Sequence, residues 1–86
     1  MSKLNENAKL IPITNMQNGQ EGTIVELVTQ DKNILRKLMS MGILPGVGVK
    51  LIMKYPSVVL QAGYTQVALD LGIASVVVVD PIAYAG

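Results

Sequence analysis

The 86 residues suffice for one domain; half are apolar and 15% charged, a balance that excludes a disordered chain. A net charge of +1 gives no electrostatic basis for nucleic-acid binding. Cysteine and histidine are both absent, which excludes disulfides, thiolate metal sites and cysteine nucleophiles, and removes the commonest metal ligand and general base at neutral pH.

The polar start, MSKLNENAKL, lacks the apolar middle of a signal peptide. No apolar run approaches the roughly 18 residues of a membrane span; the longest, Ile73–Val79, is interrupted by Ser75. A cytoplasmic protein without direct membrane insertion is therefore expected, with residues 1–9 as a flexible N-terminus. A core rich in Val, Leu and Ile, with no Phe or Trp, suits a small sheet protein.

Leu10–Ile13 is a short apolar stretch in which Pro12 suits an edge or the start of a strand. Asn15–Gly22 is rich in turn residues, with Gly19 and Gly22 as positive-φ or close-approach positions. Thr23–Thr29 has strand composition but only partial alternation, which predicts a bulge or burial on both faces. Asp31 occupies the N-cap position of a helix over Lys32–Met41. Ile34, Leu35, Leu38, Met39 and Met41 share its inner side; Lys32, Arg36, Lys37 and Ser40 take the other. Gly42 stands where a left-handed glycine ends a helix, and Ile43 where an apolar contact closes that end. Pro45 and Gly46 then fit a type II-like turn.

Val47–Tyr55 alternates, with Val47, Val49, Leu51, Met53 and Tyr55 on one face and Gly48, Lys50, Ile52 and Lys54 on the other. Pro56 and Ser57 turn the chain into Val58–Ala62, which pairs through a tight turn at Gly63 with Tyr64–Leu69. Asp70–Ala74 is a one-turn connection, and Ser75–Val79 a last strand stopped by Pro81. Five strands and one inserted helix are too few for a sandwich. A mainly β fold, a small closed or nearly closed barrel, avoids unpaired edges at this size.

The segment Leu35–Val49, a leucine-rich short helix followed by M-G-I-L-P-G-x-x-V, resembles the FeoA family. So do Gly19–Val25 as its "G-x-x-G-x-I", Gln66–Leu69 as its "x-I-A-L" strand, and Ala74–Val78 as its closing "A-x-x-I-x-V". The resemblance implies an SH3-like β-barrel with an added helix over residues 10–80, leaving 81–86 as a C-terminal tail. It further implies a non-enzymatic role in ferrous iron uptake beside the membrane transporter FeoB, which has a GTP-binding domain. The same barrel is the C-terminal domain of metal-dependent repressors similar to the diphtheria toxin repressor. A small-barrel nucleic-acid-binding or metal-responsive regulatory module is thus the alternative function. The sequence departs from the family pattern in its short, less polar Tyr55–Val58 loop and in Gly48, often a larger polar residue.

Glu6, Glu21, Glu26, Asp31, Asp70 and Asp80 are scattered, with no pair spaced to share a helix face, so they read as caps and surface charges rather than metal ligands. No metal or other cofactor is expected, and no carboxylate pair is spaced for acid–base work. Gly46–Val49 follows a helix and lacks a lysine, unlike a phosphate loop. Tyr55 and Tyr64 read as core and turn residues, not as a peptide groove. The basic helix face, continued by Lys50 and Lys54, suits an acidic partner surface. The apolar surplus (Ile52, Val76–Val79, Tyr84) points to a protein-binding or self-associating patch. The candidate partner-binding residues are Arg36, Lys37, Met41, Leu44, Lys50, Ile52 and Lys54.

Overall fold

The computed structural model describes residues 9–82; the expected flexible N-terminus through residue 8, including Glu6, and the tail around Tyr84 lie outside them. The chain runs through β1 (Ile11–Pro12), a 3-10 turn (Ile13–Asn15), β2 (Glu21–Leu27), α1 (Lys32–Ser40), β3 (Gly48–Met53), β4 (Val58–Ala62), β5 (Thr65–Leu69), α2 (Leu71–Ala74) and β6 (Val77–Pro81). The strands form one sheet in the order β1-β6-β2-β3-β4-β5, antiparallel throughout. The fold is mainly β, with α1 inserted between β2 and β3. Two elements exceed the five strands and one helix expected. Leu10–Ile13 contributes a two-residue edge strand, and the Asp70–Ala74 connection closes into a helical turn.

The sheet wraps a single apolar core. Val49 and Leu51 of β3, Val58 and Leu60 of β4, and Val77 and Val79 of β6 point inward at every second position, the period of a half-buried strand. Among the described residues no polar or charged side chain is buried. Two fully buried residues lie at the 3-10 turn: Ile13 ends the apolar entry stretch, and Met16 comes from the segment that reads as turn-rich. They plug the core beneath β1 and β6 because the 3-10 turn folds back instead of running on as a loop.

Bulges interrupt the alternation twice. In β2 the register with β6 shifts between Ile24 and Glu26, so Val25 is thrown outward and Leu27 returns to the core side. In β3 the register with β4 shifts between Leu51 and Met53. The expected five-residue inward face therefore ends at Leu51. Met53 and Tyr55 are exposed, and Ile52 is half-buried rather than outward. At the other end of the chain β6 runs two residues later than expected. Pro81 is its last residue, opposite Gly22 and beyond the end of β1, where no β1 partner needs its missing N–H.

Candidate interaction surface

Asp31 caps α1, its carboxylate accepting from the backbone N–H of Asn33 at 2.9 Å and of Ile34 at 3.4 Å. At the other end the N–H of Ile43 donates to the carbonyl of Leu38 (2.9 Å) and that of Gly42 to the carbonyl of Met39 (3.0 Å). This is the Schellman arrangement: Gly42 sits at φ +83°, and the buried side chains of Leu38 and Ile43 make its apolar contact. Pro45 and Gly46 (φ +92°) then form a type II turn, the N–H of Val47 donating to the Leu44 carbonyl at 3.1 Å. Gly46 N–H in turn donates to the Ile24 carbonyl at 2.7 Å, tying this turn to β2. The opening glycines differ in role: Gly19 adopts φ +88°, while Gly22 is buried where β2 and β6 approach closely.

These constraints fix which side of α1 meets solvent. At about 100° per residue, Ile34, Leu35, Leu38 and Met41 span an arc of roughly 120° centred near Leu38. Leu38 is fully buried and the other three half-buried. Met39 lies about 100° from Leu38 and is 53% exposed, so it joins Arg36 and Lys37 on the outer side instead of the inner one. Met41 packs against the core, which removes it from the free surface. Leu44 is half-buried beside it in sequence, in the turn that follows.

The candidate residues do not form one face. Arg36 and Lys37 ride on α1, the connection at the Gly46 end of the β2–β3 ladder. Lys50 lies further along β3, opposite Glu21 of β2 and Gln61 of β4. Lys54 is further still, past the bulge at Ile52. The expected continuation of the basic helix face through Lys50 and Lys54 is thus broken by distance along the strand and by an acidic neighbour.

Lys50 instead borders a shallow groove of about 320 Å³, lined by Glu21, Thr23, Gly48, Gln61 and Ile82 among others. Space over Gly48 is open, with nothing within 4 Å of where a β-carbon would sit. Sequence reasoning missed this groove; its signal was a glycine inside a strand with no turn to explain it. Of the two tyrosines expected as core and turn residues, Tyr64 lies in the β4–β5 turn, but neither is in the core: Tyr55, after β3, is solvent-exposed as Tyr64 is.

The carboxylates are dispersed. Asp31 caps α1, and Asp70 caps α2 by accepting from Ile73 N–H at 2.8 Å. Among the described residues no three acidic side chains come together, and without histidine or cysteine the donor set does not fit a transition-metal centre. No described helix is long and apolar enough to cross a membrane.

A curled six-stranded antiparallel sheet, one helix spliced into its β2–β3 connection and an outer surface of dispersed charges define a small-barrel domain of the SH3-like type. The FeoA domain profile matches residues 11–81, and the chain belongs to the FeoA family, which is linked to ferrous iron transport. An iron uptake regulatory protein, FeoA, is 26% identical with a TM-score of 0.78, the match covering 86% of this chain and 99% of that one. FeoA of Stenotrophomonas maltophilia in complex with zinc, described as an SH3 domain protein, is 26% identical with a TM-score of 0.67, covering 79% and 87%. IdeR of T. acidophilum shares the fold, with a TM-score of 0.82 at 20% identity; the match spans 92% of this chain but 37% of that larger protein. No curated protein sequence matches significantly.

Proposed function

We propose that this protein is a non-enzymatic cytoplasmic accessory of bacterial ferrous iron uptake that binds the cytoplasmic, GTP-binding part of a FeoB-type transporter. The similar Stenotrophomonas protein has been put forward as a ferrous iron transport activating factor. The observation that carries the reading is the outer side of α1. Arg36, Lys37 and Met39 all stand exposed on a helix held to the barrel by Leu38: Arg36 lies one turn before the apolar Met39, about 60° away, and Lys37 lies further round the outer side. Such a surface suits an acidic partner with an apolar centre, its charges acting chiefly on the association rate. Leu44 extends it at its exposed edge, and Lys50, Ile52 and Lys54 form a separate, secondary contact along β3.

The test is binding of the full chain to the purified cytoplasmic part of the transporter, followed by biolayer interferometry at low and physiological salt. Arg36→Glu with Lys37→Glu lowers the association rate about tenfold at low salt and leaves the melting temperature unchanged. No binding by the wild-type protein refutes the partner. Wild-type rates in the double variant refute the surface.

A further inference from the structure

The two edges of the sheet are treated differently. β1 is two residues long and contains Pro12. β5 is five residues long, Thr-Gln-Val-Ala-Leu, with no charge, no proline and an unbroken register against β4. Charges, prolines, bulges and short length are the usual devices that stop an edge from pairing, and β5 has none of them.

The phase of the β4–β5 ladder shows what this edge offers. The two-residue Gly63–Tyr64 turn makes Ala62 and Thr65 a hydrogen-bonded pair. Alternation then directs the backbone groups of Thr65, Val67 and Leu69 toward β4 and those of Gln66 and Ala68 away from it. The far side of β4 agrees. Leu51 exchanges bonds with Gly19 and Gln20 (2.6 and 2.9 Å), so Lys50 is the residue turned toward β4, where it meets Gln61, the non-hydrogen-bonded partner of Gln66. β5 is the last strand of the sheet with β4 as its ladder partner, and among the described residues no backbone bond outside the ladders reaches the N–H or C=O of Gln66 or Ala68. Large exposed apolar side chains flank the strand on both sides, Tyr64 just before it and Leu71 two residues after it.

We propose that β5 is a self-association edge, on which a second copy of this chain adds its own β5 antiparallel about a two-fold axis at Val67. In that register Gln66 faces Ala68 of the second copy, and Ala68 faces Gln66 of the second copy. Both pairs join outward-turned residues, and each exchanges two N–H···O=C bonds. Val67 meets its own counterpart on the half-buried side, a β-branched cross-strand pair. No like charges meet, since the nearest charge, Asp70, is engaged as the α2 cap. Two pairs further out, past Thr65 opposite Leu69, Tyr64 falls opposite Asp70 and next to the position of Leu71 of the second copy. The two-fold thus covers both exposed apolar residues with each other. An unrelated strand would use the backbone groups but leave that symmetry unexplained. One strand pair with its flanks buries less than the ~1,200 Å² of a standard interface, so the dimer is weak and concentration-dependent.

Sedimentation velocity of the full chain from micromolar to millimolar concentration tests this. The wild-type protein dimerises with rising concentration. Gln66→Pro, which removes an outward N–H and leaves the β4 ladder intact, raises the dissociation constant by about tenfold or more. Gln66→Lys with Ala68→Lys sets like charges opposite each other and does the same. Val67→Cys, in a chain without cysteine, oxidises to a covalent dimer because a non-hydrogen-bonded pair brings its Cα atoms to ~4.5 Å; Thr23→Cys does not. The proposal is overturned if the wild-type protein stays monomeric at millimolar concentration, or if the lysine pair dimerises as the wild type does. It is equally overturned if the Gln66 and Ala68 amides resist hydrogen exchange in dilute monomer, which would mean that the chain's own residues cover the edge. Should Gln66→Pro fail to fold, the lysine pair and the cysteine variant decide.

Discussion

Replacing Gly22 by alanine separates close packing from chain entropy. A β-carbon at Gly22 would lie 3.0 Å from the Asp80 carbonyl oxygen and 3.1 Å from Pro81 Cα, both backbone atoms of β6. It would also meet Met16 Sδ at 3.3 Å, but that side chain can swing aside. Relief at the backbone requires β6 to move off β2, and the neighbouring Ile24↔Val79 pair lies in the middle of the core. Overfilling a packed site costs about 1–3 kcal/mol. Each kcal/mol moves the melting temperature of a domain this size by about 4–8 °C, so Gly22→Ala melts roughly 10 °C lower. Gly48, on the neighbouring strand opposite Thr23, is the control. Nothing lies within 4 Å of a β-carbon there and its φ is not in the left-handed region. Gly48→Ala restricts the unfolded chain and raises the melting temperature by a few degrees, from about 0.4–1 kcal/mol. Calorimetry of both variants checks the contrast. Equal melting temperatures for the two would refute the close β2–β6 approach.

Leu38→Ala removes the one fully buried anchor of α1 and destabilises by about 2–5 kcal/mol, read by urea denaturation. Asp70→Ala loses the α2 cap, a cost of about 1 kcal/mol, and Asp70→Asn recovers most of it. Gly42→Ala meets no neighbour, so its cost of about 1–2 kcal/mol is backbone strain alone, seen as a lower melting temperature. Tyr55→Ser changes stability by less than about 0.5 kcal/mol, because the side chain is 87% exposed.

Local chemistry was legible where one residue type has one use. Asp31 before an apolar helical pattern, a glycine followed by an isoleucine after it, and Pro-Gly before a strand each carry their own backbone consequence, and each is realised as the corresponding cap or turn. The partial alternation of Thr23–Thr29 left a bulge or burial on both faces open, and the register shift at Val25 is the bulge. Long-range facts were not legible. Ile52 sits in a regular alternating run, and only its pairing with β4 makes it the bulge. Met16 is ringed by turn residues, so its burial depends on β6 arriving from the far end of the sequence. Helical spacing placed Met39 within a generous apolar side, but the barrel offers room for a narrower arc. The candidate surface was half legible: side-chain charges are visible in sequence, whereas their separation along β3 follows from register.

The strand order β1-β6-β2-β3-β4-β5 also sets a schedule for folding. β3, β4 and β5 are neighbours in both sequence and space, so they can zip together with short loop closures. β2 must reach β3 across the helix, and β1 must wait for β6, whose partner Ile11 lies near the opposite end of the described chain. Closing such long loops is entropically expensive and slow. The β3–β4–β5 meander can therefore close from local contacts, whereas β1 has no strand partner until β6 arrives. β6 acts as the latch: it lies between β1 and β2, and its docking completes the enclosure of Ile13, Met16 and Ile24.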